Sequence, residues 1–365
     1  MKALKALIIS TVLFLSLRYQ ASAMDSKDVD PDSARITTVF SDLPLELREY
    51  IFSFLTRQND FWSASRVSQD WRKIAHKLRE EKTLNLKRRN LENKDFQALL
   101  DIPFACLSLD DCRLGSQEVL ILSRSSRIKG LSLSYNNIGD GGAKNIAMGN
   151  LLALTYLNLE RTSIGVAGAK VIATGNFSSL TSLNLANNSI GAAGAGDIAT
   201  GNLTSLSSLD LRGNRIGNAG ARNIATGKLT SLTSLNLESN RIGDAGTRDI
   251  AMGTFTSLTF LNLKNNSMGD TEARNIATGN FIALISLNLE YNSIGDVGAR
   301  DIATGNLTAL TSLNLKDNRI GYAGAKDIAT GNLTALTSLN LEHNNIGDAG
   351  REALKNFMKN RELKL

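Results

Sequence analysis

The chain has 365 residues, 41 basic and 35 acidic side chains, and a formal charge of +6. Three of the bases, Lys2, Lys5 and Arg18, lie in an acid-free N-terminal stretch, so its removal would leave about +3, too mild a balance to argue for nucleic acid or an anionic membrane as partner. With 42% hydrophobic and 21% charged residues the chain is globular, and two His and two Cys leave little material for catalysis or a metal site. No cofactor is expected.

Lys2 and Lys5 precede an apolar run from Ala6 to Leu17, followed by Ala21-Ser22-Ala23. A basic start, a short apolar run and a small-x-small cleavage site predict a secretory signal peptide over residues 1–23. The run is too short to cross a bilayer, which takes about 20 apolar residues, so no membrane span is expected after cleavage. Residues 24–39 are polar and acid-rich and read as a flexible spacer.

Residues 40–78 predict a small all-α domain. Leu43-Pro44 opens it, with Pro44 suited to a helix start, where its missing N–H is not needed. Ile51, Phe54 and Leu55 share one helical face, and Val67, Trp71 and Ile74 share another. On this pattern alone the helices could serve only to cap the rest of the chain.

From Leu84 to the end the chain repeats itself. Leu131, Leu157, Leu183, Leu209, Leu235, Leu261, Leu287, Leu313 and Leu339 are 26 residues apart, and Leu107 and Leu84 start two less regular copies, giving eleven over 84–365. In Tyr156-Leu157-Asn158-Leu159-Glu160 the leucines alternate with polar residues, which predicts a strand with one buried face. Asn188, Asn214, Asn240, Asn266, Asn292, Asn318 and Asn344 follow at a fixed offset, where a stacked amide can bond to turn backbone; Arg89, Cys112 and Thr162 replace it in three copies. An Ile-Gly-x-x-Gly-Ala turn then leads into a helix that should bury Ala221, Ile224 and Ala225 and end near Gly227. Strands stack at about 4.8 Å and helices at about 8–10 Å, so the stack must curve, with parallel strands inside and helices outside. Arg351 to Leu365, with Ala353, Leu354, Phe357 and Met358 in one stripe, is expected as a helical C-terminal cap.

This pattern resembles the leucine-rich repeats of the ribonuclease-inhibitor-like class, so the expected fold class is α/β: a curved solenoid preceded by the small all-α domain. The recurring Gly-Ala-x-x-Ile-Ala also resembles the bacterial GALA-type repeat, though the period here is 26 where that pattern commonly has 24. Leu-Pro, a helix with Ile and Leu, then Val67-Ser68 and Trp71-Arg72 resemble an F-box over about 40 residues. That resemblance implies that Leu43, Pro44, Ile51, Leu55, Val67 and Trp71 dock on a Skp-type adaptor of a cullin ubiquitin ligase, and that the repeats present the ligase substrate. GALA-type F-box proteins are bacterial effectors. Together with the signal peptide, the resemblance implies an exported, non-enzymatic adaptor acting in host cytoplasm. The competing expectation is a secreted or periplasmic repeat protein whose N-terminal helices only cap the stack. A repeat-type enzyme inhibitor is a third, by analogy of fold.

The target protein should meet the concave face. Strand alternation points Asn158, Asn184, Asp210, Asn236, Asn262, Asn288, Asn314 and Asn340 outward in a nearly constant column, which suits a scaffold role. The next outward column varies, through Glu160, Ala186, Arg212, Glu238, Lys264, Glu290, Lys316 and Glu342, and Tyr156 and Phe260 interrupt a column otherwise mostly Ser. Tyr and Arg are favoured interface anchors, which selects Tyr156, Arg212, Phe260 and Tyr291, with Glu238 and Lys264 beside them. A basic column on the outer helices (Lys144, Lys170, Arg222, Arg248, Arg274, Arg300, Lys326) is offset by Asp249, Asp301 and Asp327 and reads as a solvated face. Cys106 should point to the open face and Cys112 inward, which argues against a disulfide.

Overall fold

A computed structural model describes residues 83–88, 105–359 and 361–365. The expectations for residues 1–82, including Leu43, Pro44, Ile51, Leu55, Val67 and Trp71, lie outside the described residues, as does Arg89.

Twelve three-residue strands form one parallel sheet in sequence order. They are β1 (Thr83–Asn85), β2 (Cys106–Ser108), β3 (Gly130–Ser132), β4 (Tyr156–Asn158), β5 (Ser182–Asn184), β6 (Ser208–Asp210), β7 (Ser234–Asn236), β8 (Phe260–Asn262), β9 (Ser286–Asn288), β10 (Ser312–Asn314), β11 (Ser338–Asn340) and β12 (Glu362–Lys364). From β2 to β11 a helix follows each strand: α1 (Ser116–Leu122), α2 (Gly139–Met148), α3 (Val166–Thr174), α4 (Gly191–Thr200), α5 (Gly217–Thr226), α6 (Asp244–Ala251), α7 (Asp270–Ala277), α8 (Asp296–Thr304), α9 (Tyr322–Thr330) and α10 (Gly347–Phe357). This is the leucine-rich-repeat solenoid that the period requires. Leu209 pairs with Leu235, and so on along the sheet, so the buried leucines stack in one line. Leu209, Leu211, Ile216, Ala221, Ile224, Ala225, Leu229 and Leu232 of one repeat are all buried between its neighbours. No repeat could bury them alone.

The Asn column fastens the turns. Asn266 is buried; its Oδ1 accepts the N–H groups of Asn240 and Ile242 at 3.0 and 3.1 Å, and its Nδ2 donates to the Leu237 and Leu263 carbonyls at 3.0 and 3.1 Å. Asn136, in an earlier repeat, belongs to the same column and does the same for Cys112, Leu114, Leu109 and Leu133. Where Asn is replaced the bonding thins. The Thr162 hydroxyl reaches the Leu159 carbonyl, and the Cys112 thiol reaches the Leu86 carbonyl at 3.0 Å. The outward column also serves the scaffold, since Asn158, Asn184, Asp210, Asn236, Asn262, Asn288, Asn314 and Asn340 each accept the N–H two residues on. These side chains close the turn that ends each strand.

A second tie runs the other way. Asp296, the first residue of α8, accepts the Gly321 and Gly324 N–H groups at 2.6 and 2.8 Å and so caps α9. Asp270 caps α8, and Asn218 caps α6, in the same manner. Acids therefore gather where helix N-termini carry unpaired N–H groups. At the other helix ends Gly is required by close approach: a Cβ at Gly227 would lie 2.5 Å from the Ala199 carbonyl oxygen.

The C-terminal cap differs from the sequence expectation. Leu354 and Met358 are buried as expected, but α10 stops at Phe357 and the chain then adds β12 to β11, with Leu363 opposite Leu339. The edge strand β11 thereby finds backbone partners, which a purely helical cap would not supply.

Two outcomes are expected from these bonds. Asn266→Ala strands two buried N–H groups and should lower stability by about 2 kcal/mol or more, read from the urea midpoint. Burial pushes the Asp210 carboxyl above its ordinary 3.8, with the Arg212 and Asn236 bonds opposing. The native state thus favours the protonated form: its contribution is full below the unfolded value and is lost as pH rises through the folded one. Asp210→Asn should therefore be nearly neutral in acid and stabilising near pH 7, checked by denaturant titrations across pH.

Candidate protein-binding surface

The polar face of the sheet carries the sequence-predicted residues, and most of its charges are already paired. Arg212 Nη2 donates to Glu160 Oε1 at 2.9 Å across two repeats. The intervening position is Ala186, fully buried, which leaves room for that reach. Lys264 Nζ lies 3.0 Å from Glu290 Oε1, and Lys316 Nζ lies 3.2 Å from Glu342 Oε2. Glu238 Oε2 accepts from Asn262 at 3.2 Å. Arg212, Glu238 and Lys264 are thus held by their own neighbours; they shape the surface and are not loose charges awaiting a partner. The buried Arg212 Nε has no hydrogen-bond partner.

The aromatic side chains stand out of this network. Tyr156, Phe260 and Tyr291 are between 36% and 51% exposed. Lys264 Nζ sits 5.0 Å from the centre of the Tyr291 ring, so the structure brings Lys264, Glu290 and Tyr291 together. Tyr156 lies near Asp110 and Glu160, and its hydroxyl is pushed to higher pKa by burial first and these carboxylates second. Phe260 stands apart, at the start of β8.

Sequence reasoning missed Tyr135, which is exposed and stacks under Arg161 at 5.2 Å. It occupies the same repeat position as Tyr291, which is the signal that would have found it. Every residue in this column sits in the left-handed region, from Tyr135 at φ 59° and Arg161 at 51° to Tyr291 at 52°. Asn, Asp and Gly tolerate that backbone, and Asn187, Gly213, Asn265 and Asp317 follow the rule. Tyr135, Arg161, Ser239, Tyr291 and His343 adopt it because the turn imposes it in every repeat.

The remaining charged and thiol groups are structural or solvated. Arg274 pairs with Asp301 at 2.8 Å and Arg248 with Asp244 at 2.8 Å on the outer helices, with the arginines exposed. His343 meets Asp317 at 3.0 Å. Cys106 is half-buried against Gly130, Cys112 is buried, and no disulfide joins them. Among the described residues no group of three or more His, Cys, Asp or Glu is placed to hold a metal, and no helix is long and apolar enough to cross a membrane.

Comparison with known proteins agrees with this architecture. Residues 40–79 match the F-box-like family. Seven segments, 128–147, 178–199, 202–225, 228–251, 284–303, 306–329 and 332–355, match the leucine-rich repeat family. The two long gaps between them, 148–177 and 252–283, include departures from the repeat's own pattern at Tyr156, Thr162, Phe260 and Met268, yet both fold as repeats. No curated protein matches the chain. Among solved structures, an internalin (InlF) of Listeria monocytogenes is similar at 21% identity and TM-score 0.52, over 80% of this chain and 88% of that one. The mouse RP105/MD-1 complex is similar at 15% identity and TM-score 0.47, over 78% of this chain and 54% of that one. The internalin likeness is one of fold. Both matched families are protein-interaction domains, and the repeat geometry, its register and the N-terminal match lead to one assignment: the chain is an F-box-like/leucine-rich-repeat protein.

Proposed function

We propose that the chain is the substrate-recognition subunit of an SCF-type cullin ubiquitin ligase. In this reading residues 40–79 dock on a Skp-type adaptor through Leu43, Pro44, Ile51, Leu55, Val67 and Trp71, and the concave face holds a target protein. The observation that carries it is the F-box-like match placed ahead of the repeats in the same chain. A binding subunit needs no chemistry of its own, and the paired, rigid concave face suits recognition. Tyr135, Tyr156 and Tyr291 are its anchors, because exposed aromatic side chains add contact area at small entropic cost. The basic start, apolar run and Ala21-Ser22-Ala23 add the proposal that a bacterium exports the protein and that it acts in a host cytoplasm.

Binding of the purified chain to a eukaryotic Skp-type adaptor tests the first part. Truncating buried apolar anchors costs about 2 kcal/mol or more, or roughly thirtyfold in Kd. Leu43→Ala/Pro44→Ala should therefore lose adaptor binding while circular dichroism of the repeats is unchanged, and Tyr291→Ala should leave adaptor binding intact. A wild type that does not bind the adaptor would overturn this part of the reading. Export has its own measurement: mass spectrometry of the secreted protein should find Met24 as the first residue.

A further inference from the structure

The parallel register places every connection from a helix C-terminus to the next strand on one flank of the solenoid. The hydroxyls of Thr155, Thr181, Ser207, Thr233 and Thr259 run along it, each donating to the carbonyl 26 residues back. Most positions here are Ser, Thr, Asn or Gly. Five exposed positions carry large apolar side chains instead: Met148 and Leu152 at one connection, and Met252, Ile282 and Ile285 at two adjacent ones. Met148 is 75% exposed and Ile282 74%. Neighbouring repeats carry Thr174, Ser178, Thr308 and Thr311 where Met148, Leu152, Ile282 and Ile285 stand, so the fold does not need apolar residues there.

Charge on this flank is one-sided. The nine connections between residues 123 and 337 contain no Asp or Glu, and Arg124, Arg127, Lys129 and Lys228 are exposed in them. Helix C-termini carry partial negative charge, which accounts for the missing acids. It does not account for exposed Met, Leu and Ile. The overall charge hides this segregation, because the acids sit on the outer helices, at their N-termini and on the concave face.

We propose that this flank rests on an anionic lipid surface. Basic side chains near the tips are drawn to the headgroups, and the apolar tips enter the boundary beneath them. Two features favour a bilayer over a protein. The apolar side chains form two groups about 20 Å apart at the strand spacing, with only Ser, Thr, Asn and one Lys exposed between, whereas a stable protein interface needs a continuous patch of roughly 800 Å². The tips also lie along one line of loops, which a planar surface meets all at once. The inference is independent of the adaptor reading, because Met148, Leu152, Ile282 and Ile285 lie outside residues 40–79 and are not among the concave-face anchors.

The test is co-sedimentation of the full chain with phosphatidylglycerol-containing vesicles and with phosphatidylcholine vesicles, at low and high salt. The comparison variant Met148→Thr/Leu152→Ser/Ile282→Thr/Ile285→Thr restores what the neighbouring repeats carry and keeps the N-terminal apolar run common to both proteins. Its partition onto anionic vesicles should fall about tenfold or more. Arg124→Gln/Arg127→Gln/Lys129→Gln should weaken binding and its salt dependence, and Tyr291→Ala should change neither. Equal sedimentation of wild type and the restored variant would overturn the proposal. So would a wild type that ignores anionic lipid, or a restored variant whose only change is from dimer to monomer in size-exclusion chromatography.

Discussion

A buried side-chain amide that satisfies the backbone of two successive repeats is what the rest of this structure depends on. Strands of three residues make too few ladder bonds to hold a turn in place, and a turn packed inside the stack has no water to bond with. Asn240, Asn266 and Asn292 supply what is missing, each accepting from the preceding turn and donating to strand carbonyls. With the turns fixed, the leucines fall in register. With the leucines in register, Ala and Gly meet Ala and Gly on the helix side. The close packing at Gly227 against Ala199 is then a requirement and not a preference.

The concave face obeys the same regularity. A charge placed every 26 residues stands beside its counterpart in the next repeat, so alternating signs pair along the sheet, as Lys264 with Glu290 and Lys316 with Glu342 do. Pairing lowers the cost of crowding charges, and it also leaves the aromatic side chains as the groups with surface to offer. Tyr291 over Lys264 and Tyr135 under Arg161 are stiffened by those contacts before any partner arrives.

Much of this was legible in the sequence because the period is strict. Leu-x-Leu alternation, the Asn offset and the helix stripe through Ala221, Ile224 and Ala225 each translate directly into burial. The roles of Asn158 and its column were read as scaffold, and they close turns. Less legible were features that depend on a neighbour 26 residues away. The reach of Arg212 over Ala186 to Glu160, and the capping of α9 by Asp296 of α8, appear only when repeats are stacked. The last strand was hidden because Glu362–Lys364 comes after Leu339 at a shortened spacing, behind a helix that already looked like an end. The flank of Met148 and Ile282 was hidden for a simpler reason: net charge and composition average over faces that the fold keeps apart.

The two inter-repeat ties point in opposite directions along the chain. Asn reaches back to the turn of the preceding repeat, and Asp or Asn at a helix start reaches forward to cap the following one. Cut the stack between any two such repeats and both new ends are left with unmet backbone groups. Remove or duplicate a whole 26-residue unit and each tie finds an equivalent partner one step along. The scaffold can therefore change length in whole units by unequal recombination and remain closed at every join, whereas a gain or loss of half a unit is lethal to the fold. A lineage built this way can widen or narrow its binding face faster than point substitution allows.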